Sequence, residues 1–383
     1  MDLSKSIDFL LENAGAVIQY RLRKEILNNI SKTEEENMLE QVYQTPLFKM
    51  LLDNIKPNGF IGWGMHNGDK RQKNEIDDGE ASARLLSYYG IPKENPIIKN
   101  FISAFRNEDT LQEEFSHNGA VRNMYKTRHI GTNSGNLLMS LIYTMQSMLG
   151  YGDDEEVKHF QEICLKGFKR VVEADEISDI TRYDPSINTK LNYLYHIEPD
   201  DYFPCSYTLT NLAYTSVWRT PENIKMMANA INHINAIMPK SDTPFKGFNS
   251  NGLYVRINKQ LKGPAIAFSQ PLRAFTKDNQ DAIFYRRPLT EIAMLGVGEN
   301  VGIIRESVAN VEEALAADGI LKIKFDSSYN KRKYIDMLRL PNAYGDIGLE
   351  IDYKSETALW CDRTFWAVQF LTLVKINPSI TNK

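Results

Sequence analysis

The stretch ETALWCDRTFWAVQFLTLVK, residues 356–375, carries apolar or small side chains around most of a helical projection, with few charges. A helix with so little polar surface must be surrounded by protein. By contrast, VKHFQEICLKGFKRVV, residues 157–172, aligns Val157, Phe160, Ile163, Cys164, Phe168 and Val171 on one stripe. It turns Lys158, Glu162, Lys166 and Lys169 away from that stripe, which is the pattern of a helix with one wet face. Both kinds recur along the chain. Residues 77–89, 132–149 and 206–218 read as the enclosed kind, and shorter candidates begin near Pro264 and Pro288. Residues 96–106, 154–174, 221–238 and 301–316 read as the striped kind. Enclosed helices inside striped ones give two concentric shells. Uneven intervals with long insertions favour closure into a ring over an open solenoid of regular period. The expectation is an all-α fold, an α/α toroid of two concentric helical layers, forming one domain over residues 1–383.

The N-terminal segments fit outside that ring. Ile7, Leu10, Leu11, Ala14, Ile18, Leu22 and Ile26 recur at steps of three and four over residues 4–30, predicting one amphipathic helix or two short ones. A further helix is predicted over residues 34–54, stopped by Pro57-Asn58-Gly59. The helices of residues 1–56 are therefore expected on the outside of the domain. After them comes a glycine-rich aromatic loop, GFIGWGMHNG, residues 59–68. Insertions are expected at 245–268, where GLYVRINKQ alternates as a short β-hairpin would, and at 320–352.

Composition narrows the partners. Lys and Arg number 45 against 49 Asp and Glu, a net charge of −4, so the chain lacks the basic footprint of a nucleic-acid binder. Three widely spaced cysteines, Cys164, Cys205 and Cys361, argue against a disulfide framework and for a reducing, cytoplasmic setting. The first residues lack the pattern of a secretory signal, and no uninterrupted apolar run is long enough for an ordinary membrane span. No phosphate-binding loop, dinucleotide fingerprint, nucleophile elbow or HExxH motif occurs in the sequence.

The runs AGAVIQYRLRKEIL (14–27), LLDNIKPNGFIGWG (51–64) and ASARLLSYYGI (81–91) resemble bacterial squalene-cyclase-like and prenyltransferase-repeat proteins. The likeness is clearest over about the first 150 residues. The turns at Asn58-Gly59-Phe60-Ile61 and Asp318-Gly319-Ile320-Leu321 look like degenerate forms of the Gln…Gly…Trp repeat that braces helices in terpenoid cyclases. This chain has Ile55 and Leu315 in place of Gln, and Ile61 and Leu321 in place of Trp. The resemblance implies a terpenoid-cyclase-like ring with a central cavity for a small-molecule ligand, apolar or prenyl in character.

It also implies a chemistry. Acid-initiated cyclases use an Asp-x-Asp-Asp motif whose middle carboxylic acid stays protonated beside aromatic walls. Two near matches stand before enclosed helices: Glu75-Ile76-Asp77-Asp78 and Glu198-Pro199-Asp200-Asp201. Asp77 or Asp200 would donate the proton and the flanking acids would tune it; capping of a helix N-terminus is the competing role for the same carboxylates. Prenyltransferases instead hold zinc with Asp, Cys and His. In WCDRTFW, residues 360–366, Cys361 directly precedes Asp362 and no His follows downstream, so no metal site is expected. A Mg2+ ion enters only with a diphosphate substrate, which Arg128 and the polar run before residues 131–135 could receive at a helix N-terminus.

Trp63, His66, His196, Phe203, Tyr207, Trp360, Asp362 and Trp366 are the remaining candidates for lining a ligand site. Three functional readings stay open. One is an isoprenoid cyclase. Another is a carbohydrate-active toroid, lyase or glycoside hydrolase, in which the carboxylates and His129 do acid and base work. The last is a non-catalytic ligand-binding scaffold.

Overall fold

A computed structural model describes residues 2–66, 76, 78–117, 132–180, 182–183, 195–197, 204–237, 254–257, 260–262, 273–276, 287–322, 347–350, 353 and 355–376. The described chain is mostly helical. It runs α1 (Ser4–Asn13), α2 (Ala16–Arg21), a π-helical turn (Leu22–Leu27), α3 (Lys32–Tyr43), α4 (Pro46–Asp53), α5 (Gly79–Tyr88), α6 (Pro96–Phe105), α7 (Glu108–Ser116) and α8 (Thr132–Met148). It continues with α9 (His159–Glu173), α10 (Ser206–Ala213), α11 (Pro221–Ile237), α12 (Pro288–Met294), α13 (Gly302–Leu315) and α14 (Glu356–Ile376). Two compact units form: Met1–Arg122, Phe275–Thr290 and Ser307–Ile376 in the first, Asn123–Ala274, Glu291–Glu306 and Asn377–Lys383 in the second. Among the described residues no helix is long and apolar enough to cross a membrane.

In the first unit the two kinds of helix are plain. Every residue from Cys361 to Val368 in α14 and from Gly79 to Leu86 in α5 is buried, whereas α1 buries only Ser6 and Leu10. The helix predicted over residues 34–54 is two helices, because Pro46 has no N–H to donate and starts a new one at N1. Ser31 and Glu34 close a reciprocal capping box at the start of α3. Helix α7 was not foreseen: its apolar contribution rests on Leu111 and Phe115, one turn apart in an otherwise polar run.

Trp366 sits at the centre of this unit beneath two arginines. The Arg287 guanidinium carbon lies 3.1 Å from its ring centroid and 3.3 Å from that of Tyr88, and Arg21 lies 4.9 Å from Trp366 and 5.0 Å from Phe365. Stacked guanidinium groups tolerate burial because they are weakly hydrated and meet the negative ring faces. Arg21 also donates to the Tyr88 carbonyl at 2.8 Å and pairs with both oxygens of Glu25 at 2.7 Å. One side chain thereby fastens the π-helical turn to the end of α5.

The two glycine turns share a local geometry. The Asn58 side chain accepts from Phe60 N–H at 3.0 Å and the Asp318 side chain from Ile320 N–H at 3.1 Å, the Asx turn that short polar side chains favour.

The second unit packs α9 on α11 and α8 on α10. Buried polar groups join its helices: Thr144 Oγ1 donates to the Tyr207 carbonyl at 2.9 Å, Asn211 Nδ2 to Ser147 Oγ at 2.7 Å, and Thr210 Oγ1 to Glu291 at 2.9 Å. Helix α10 ends at Ala213 rather than Trp218. The Trp218 indole N–H donates to the Leu212 carbonyl at 2.9 Å and Arg219 to the Ala213 carbonyl at 2.8 Å, satisfying the helix's last acceptors from outside, and Arg219 also donates to the Thr215 carbonyl just beyond it at 2.8 Å. Four short strands form a sheet in the order β1 (Arg182–Tyr183), β2 (Tyr195–Ile197), β3 (Tyr254–Ile257), β4 (Gln260–Lys262). The β2–β3 pair is parallel, and β3 and β4 pair antiparallel within residues 245–268.

Asp153 fixes the connection after α10. Its carboxylate accepts from Ser216 N–H and Oγ, Val217 N–H and Gln161 Nε2. Burial opposes its charge, but these donors prevail and hold the carboxyl below its ordinary 3.8. Its stabilisation is therefore fully present above pH 3.8 and is lost as pH falls through the lower folded value. Asp153→Asn should cost about 1 kcal/mol at pH 7, kept small by solvent on the carboxylate. Urea melts of the two proteins at pH 7 and then below pH 3.8 should show the difference shrinking as the medium becomes more acid.

Candidate functional site

The glycine-rich loop and the start of α5 build a polar site in the first unit. Helix α5 opens at Asp78, whose Oδ1 accepts the Ala81 N–H at 2.8 Å in an N-cap. Two residues on, Glu80 is fully buried. Its Oε1 takes Arg84 Nη2 at 2.7 Å, one turn along the same helix, and its Oε2 lies 2.8 Å from His66 Nδ1. With Arg84 on the carboxylate it acts as an acceptor, so a proton on His66 Nδ1 would make this contact a hydrogen bond to Glu80.

A second buried glutamate holds the rest of the loop. Glu114 of α7 accepts Lys56 Nζ at 2.7 and 2.6 Å and the Gly64 N–H at 3.2 Å, with His117 Nε2 4.0 Å away. The backbone is pinned as well: Met65 N–H donates to the Glu114 carbonyl at 3.2 Å and Gly79 N–H to the Gly64 carbonyl at 2.9 Å. Trp63 projects between two glycines in the left-handed region, Gly62 at φ +99° and Gly64 at φ +81°. A Cβ on Gly62 would lie 2.7 Å from the Asp78 carbonyl carbon, so this position excludes other residues by conformation and by contact. Trp63 is 52% exposed; its ring lies against that of His117, centroids 4.7 Å apart and planes tilted by 37°, with Lys56 Nζ 5.7 Å from its centroid.

The other expected residues fall elsewhere. Glu75, Asp77, Arg128, His129, Glu198, Asp200, Asp201 and Phe203 lie outside the described residues. His196 is on β2, its backbone paired with Arg182 and Tyr254. Tyr207 is buried on α10. Trp360 has Lys322 5.6 Å from its ring, and Trp366 is enclosed by arginines as described. Asp362 is buried, its Oδ1 accepting the Leu349 N–H at 2.9 Å and its Oδ2 the Tyr353 hydroxyl. Burial and the Asp362 charge push the Tyr353 phenol well above its usual range, so it remains a donor. Asp362 thus holds Leu349 and Tyr353 against α14.

No family model, curated protein or solved structure matches the chain.

The geometry itself states what the loop can do. Sequence reasoning singled out His66, Trp63 and Asp78 but passed over Glu80, Arg84, Glu114 and Lys56. The available signal was Glu80 and Arg84 at i, i+4 on a helix otherwise nearly free of charge, where ionised side chains must find partners. Among the described residues no group of three or more His, Cys, Asp or Glu is arranged to hold a metal ion. What remains is a histidine oriented by a buried, charge-paired carboxylate on a rigid loop, the arrangement that positions a proton-transfer group.

Gly62→Ala should destabilise the protein by about 1–3 kcal/mol through the strained backbone and loosen the loop. Urea denaturation would measure the first effect and acrylamide quenching of Trp63 fluorescence the second, read against a Trp63→Phe background.

Proposed function

We propose that the chain is an acid–base enzyme in which His66, oriented by Glu80, carries the proton. The observation that carries the reading is the buried Arg84–Glu80–His66 row beneath the loop. Nδ1–H directed at Glu80 makes Nε2 the nitrogen that accepts a proton from substrate or water. The imidazolium formed is stabilised by a carboxylate already held in place, so little reorganisation accompanies the transfer.

Of the chemistries raised by the sequence, this favours a carbohydrate-active enzyme, a glycoside hydrolase or polysaccharide lyase. An acid-initiated isoprenoid cyclase needs a carboxylic acid kept protonated in apolar surroundings. Asp78 instead accepts the Ala81 N–H as an N-cap, and Glu80 is paired with Arg84 and His66. The two-layer ring of squalene-cyclase-like proteins belongs to the proposal, supported by the complete burial of residues in α5 and α14 against the striped burial of α9. So does a reducing, cytoplasmic setting, for which the support is that Cys164, Cys205 and Cys361 are all unpaired as disulfides and buried.

The test is release of reducing ends or unsaturated products from a panel of neutral and uronic-acid polysaccharides. His66→Ala should lower turnover about 10²–10⁴-fold, and Glu80→Gln, which keeps the shape of the side chain, should lower kcat with little change in KM. Full activity in His66→Ala, or turnover of prenyl diphosphates with none of any polysaccharide, would overturn the reading.

A further inference from the structure

The backbone just before His66 is held from two directions. Gly64 N–H donates to Glu114 Oε2 at 3.2 Å, the Gly64 carbonyl accepts from Gly79 N–H at 2.9 Å, and Met65 N–H donates to the Glu114 carbonyl at 3.2 Å. The Met65 side chain is buried. With the peptide plane before Met65 fixed, only the Met65 φ and ψ and the His66 φ stand between that plane and the His66 Cβ. Gly79 ties this backbone to the start of α5, where Glu80 is the next residue, and Glu114 ties it to α7. The approach of α7 is close: a Cβ on Gly64 would lie 3.2 Å from the Glu114 carbonyl oxygen and 3.2 Å from His117 Cβ. Glu114 is itself fixed by Lys56, whose Nζ lies 2.7 and 2.6 Å from its two carboxylate oxygens. Lys56 is held at its own backbone, donating to the Phe60 carbonyl at 2.8 Å and accepting from Gly59 N–H at 2.9 Å. A buried ion pair adds little net stability over well-packed apolar side chains of the same volume. What it adds here is direction, since a carboxylate oriented by Lys56 receives the Gly64 N–H and an apolar side chain cannot.

We infer that Glu114 and Lys56 are positioning residues for His66, setting the backbone at Gly64 and Met65 so that the imidazole meets Glu80. The inference rests on the acid–base reading for its consequence in turnover, and on the loop geometry alone for its effect on the ring. It adds to the site a charge pair that acts on the histidine through the backbone. Small displacements of a proton-transfer group are costly, because the transfer requires a short, aligned contact.

The experiment uses the full chain with Glu114→Gln, Lys56→Met and the double variant, each followed by the 15N signals of the His66 ring, by turnover of the polysaccharide panel and by urea denaturation. Glu114→Gln keeps an acceptor for the Gly64 N–H but strands the Lys56 charge, and Lys56→Met strands the buried carboxylate. Each single variant should displace the His66 ring signals and lower kcat about 10²-fold with little change in KM. The double variant removes both charges and retains an amide oxygen for the Gly64 N–H. It should return the His66 signals toward wild type and recover part of the lost turnover, the non-additivity expected of a coupled pair. A merely structural pair would lower the urea midpoint in the single variants and leave the His66 signals where they are, and that result would overturn the inference. Displaced signals in the single variants with full turnover in His66→Ala would support the positioning and sink the acid–base role. Unchanged signals with turnover lost in His66→Ala would do the reverse.

Discussion

Glu80 carries a carboxylate to a position with no contact with water, in the first turn of a helix wrapped in apolar groups. Such a charge is tolerated only when donors surround it, and removing one partner of a buried pair costs about 3–5 kcal/mol. The requirement propagates outward. Arg84 must stand one turn away, and His66 must be brought in by a loop that crosses the helix N-terminus. That loop must then pass close enough to α5 that only glycine serves at position 62. Glu114 imposes the same demand from α7, where Lys56 and the Gly64 N–H answer it. The rigidity of the loop is therefore a consequence of where two carboxylates were placed.

This accounts for the division between helix and loop. The helices supply the anions from fixed positions, and the loop supplies the groups that respond to them. A histidine on a loop gains its tautomer and orientation from its partner, and an aromatic on a loop gains exposure from its backbone. Neither property could come from the enclosed helices, whose side chains are committed to packing, as Trp366 is beneath Arg21 and Arg287.

Much of the helical pattern was legible in the sequence, because burial follows periodicity. Of the striped residues of α9, Phe160, Cys164, Phe168 and Val171 are buried as spaced while Ile163 is half-buried, and α14 is enclosed as its composition required. The helix ends were less legible where distant groups determine them. Helix α10 stops at Ala213 because Trp218 and Arg219 fold back on its carbonyls, a contact no local pattern encodes. The site was legible in part. His66 and Trp63 stood out as unusual residues in a glycine-rich loop, but their partners Glu80 and Glu114 are ordinary glutamates on helices. Only burial distinguishes those two from the many solvated ones, and Asp78 illustrates the converse, an acidic residue before a helix serving as its cap.

The central claim is that Glu80 fixes His66 in the Nδ1–H form, and long-range 1H–15N correlation NMR of the histidine rings reads this directly, with His66→Gln identifying the signal. At neutral pH the account expects Nδ1 protonated in wild type, with Nε2 showing the shift of an unprotonated nitrogen, and a mixed or reversed pattern in Glu80→Gln. Identical His66 spectra in the two proteins, or an Nε2–H tautomer in wild type, would contradict it.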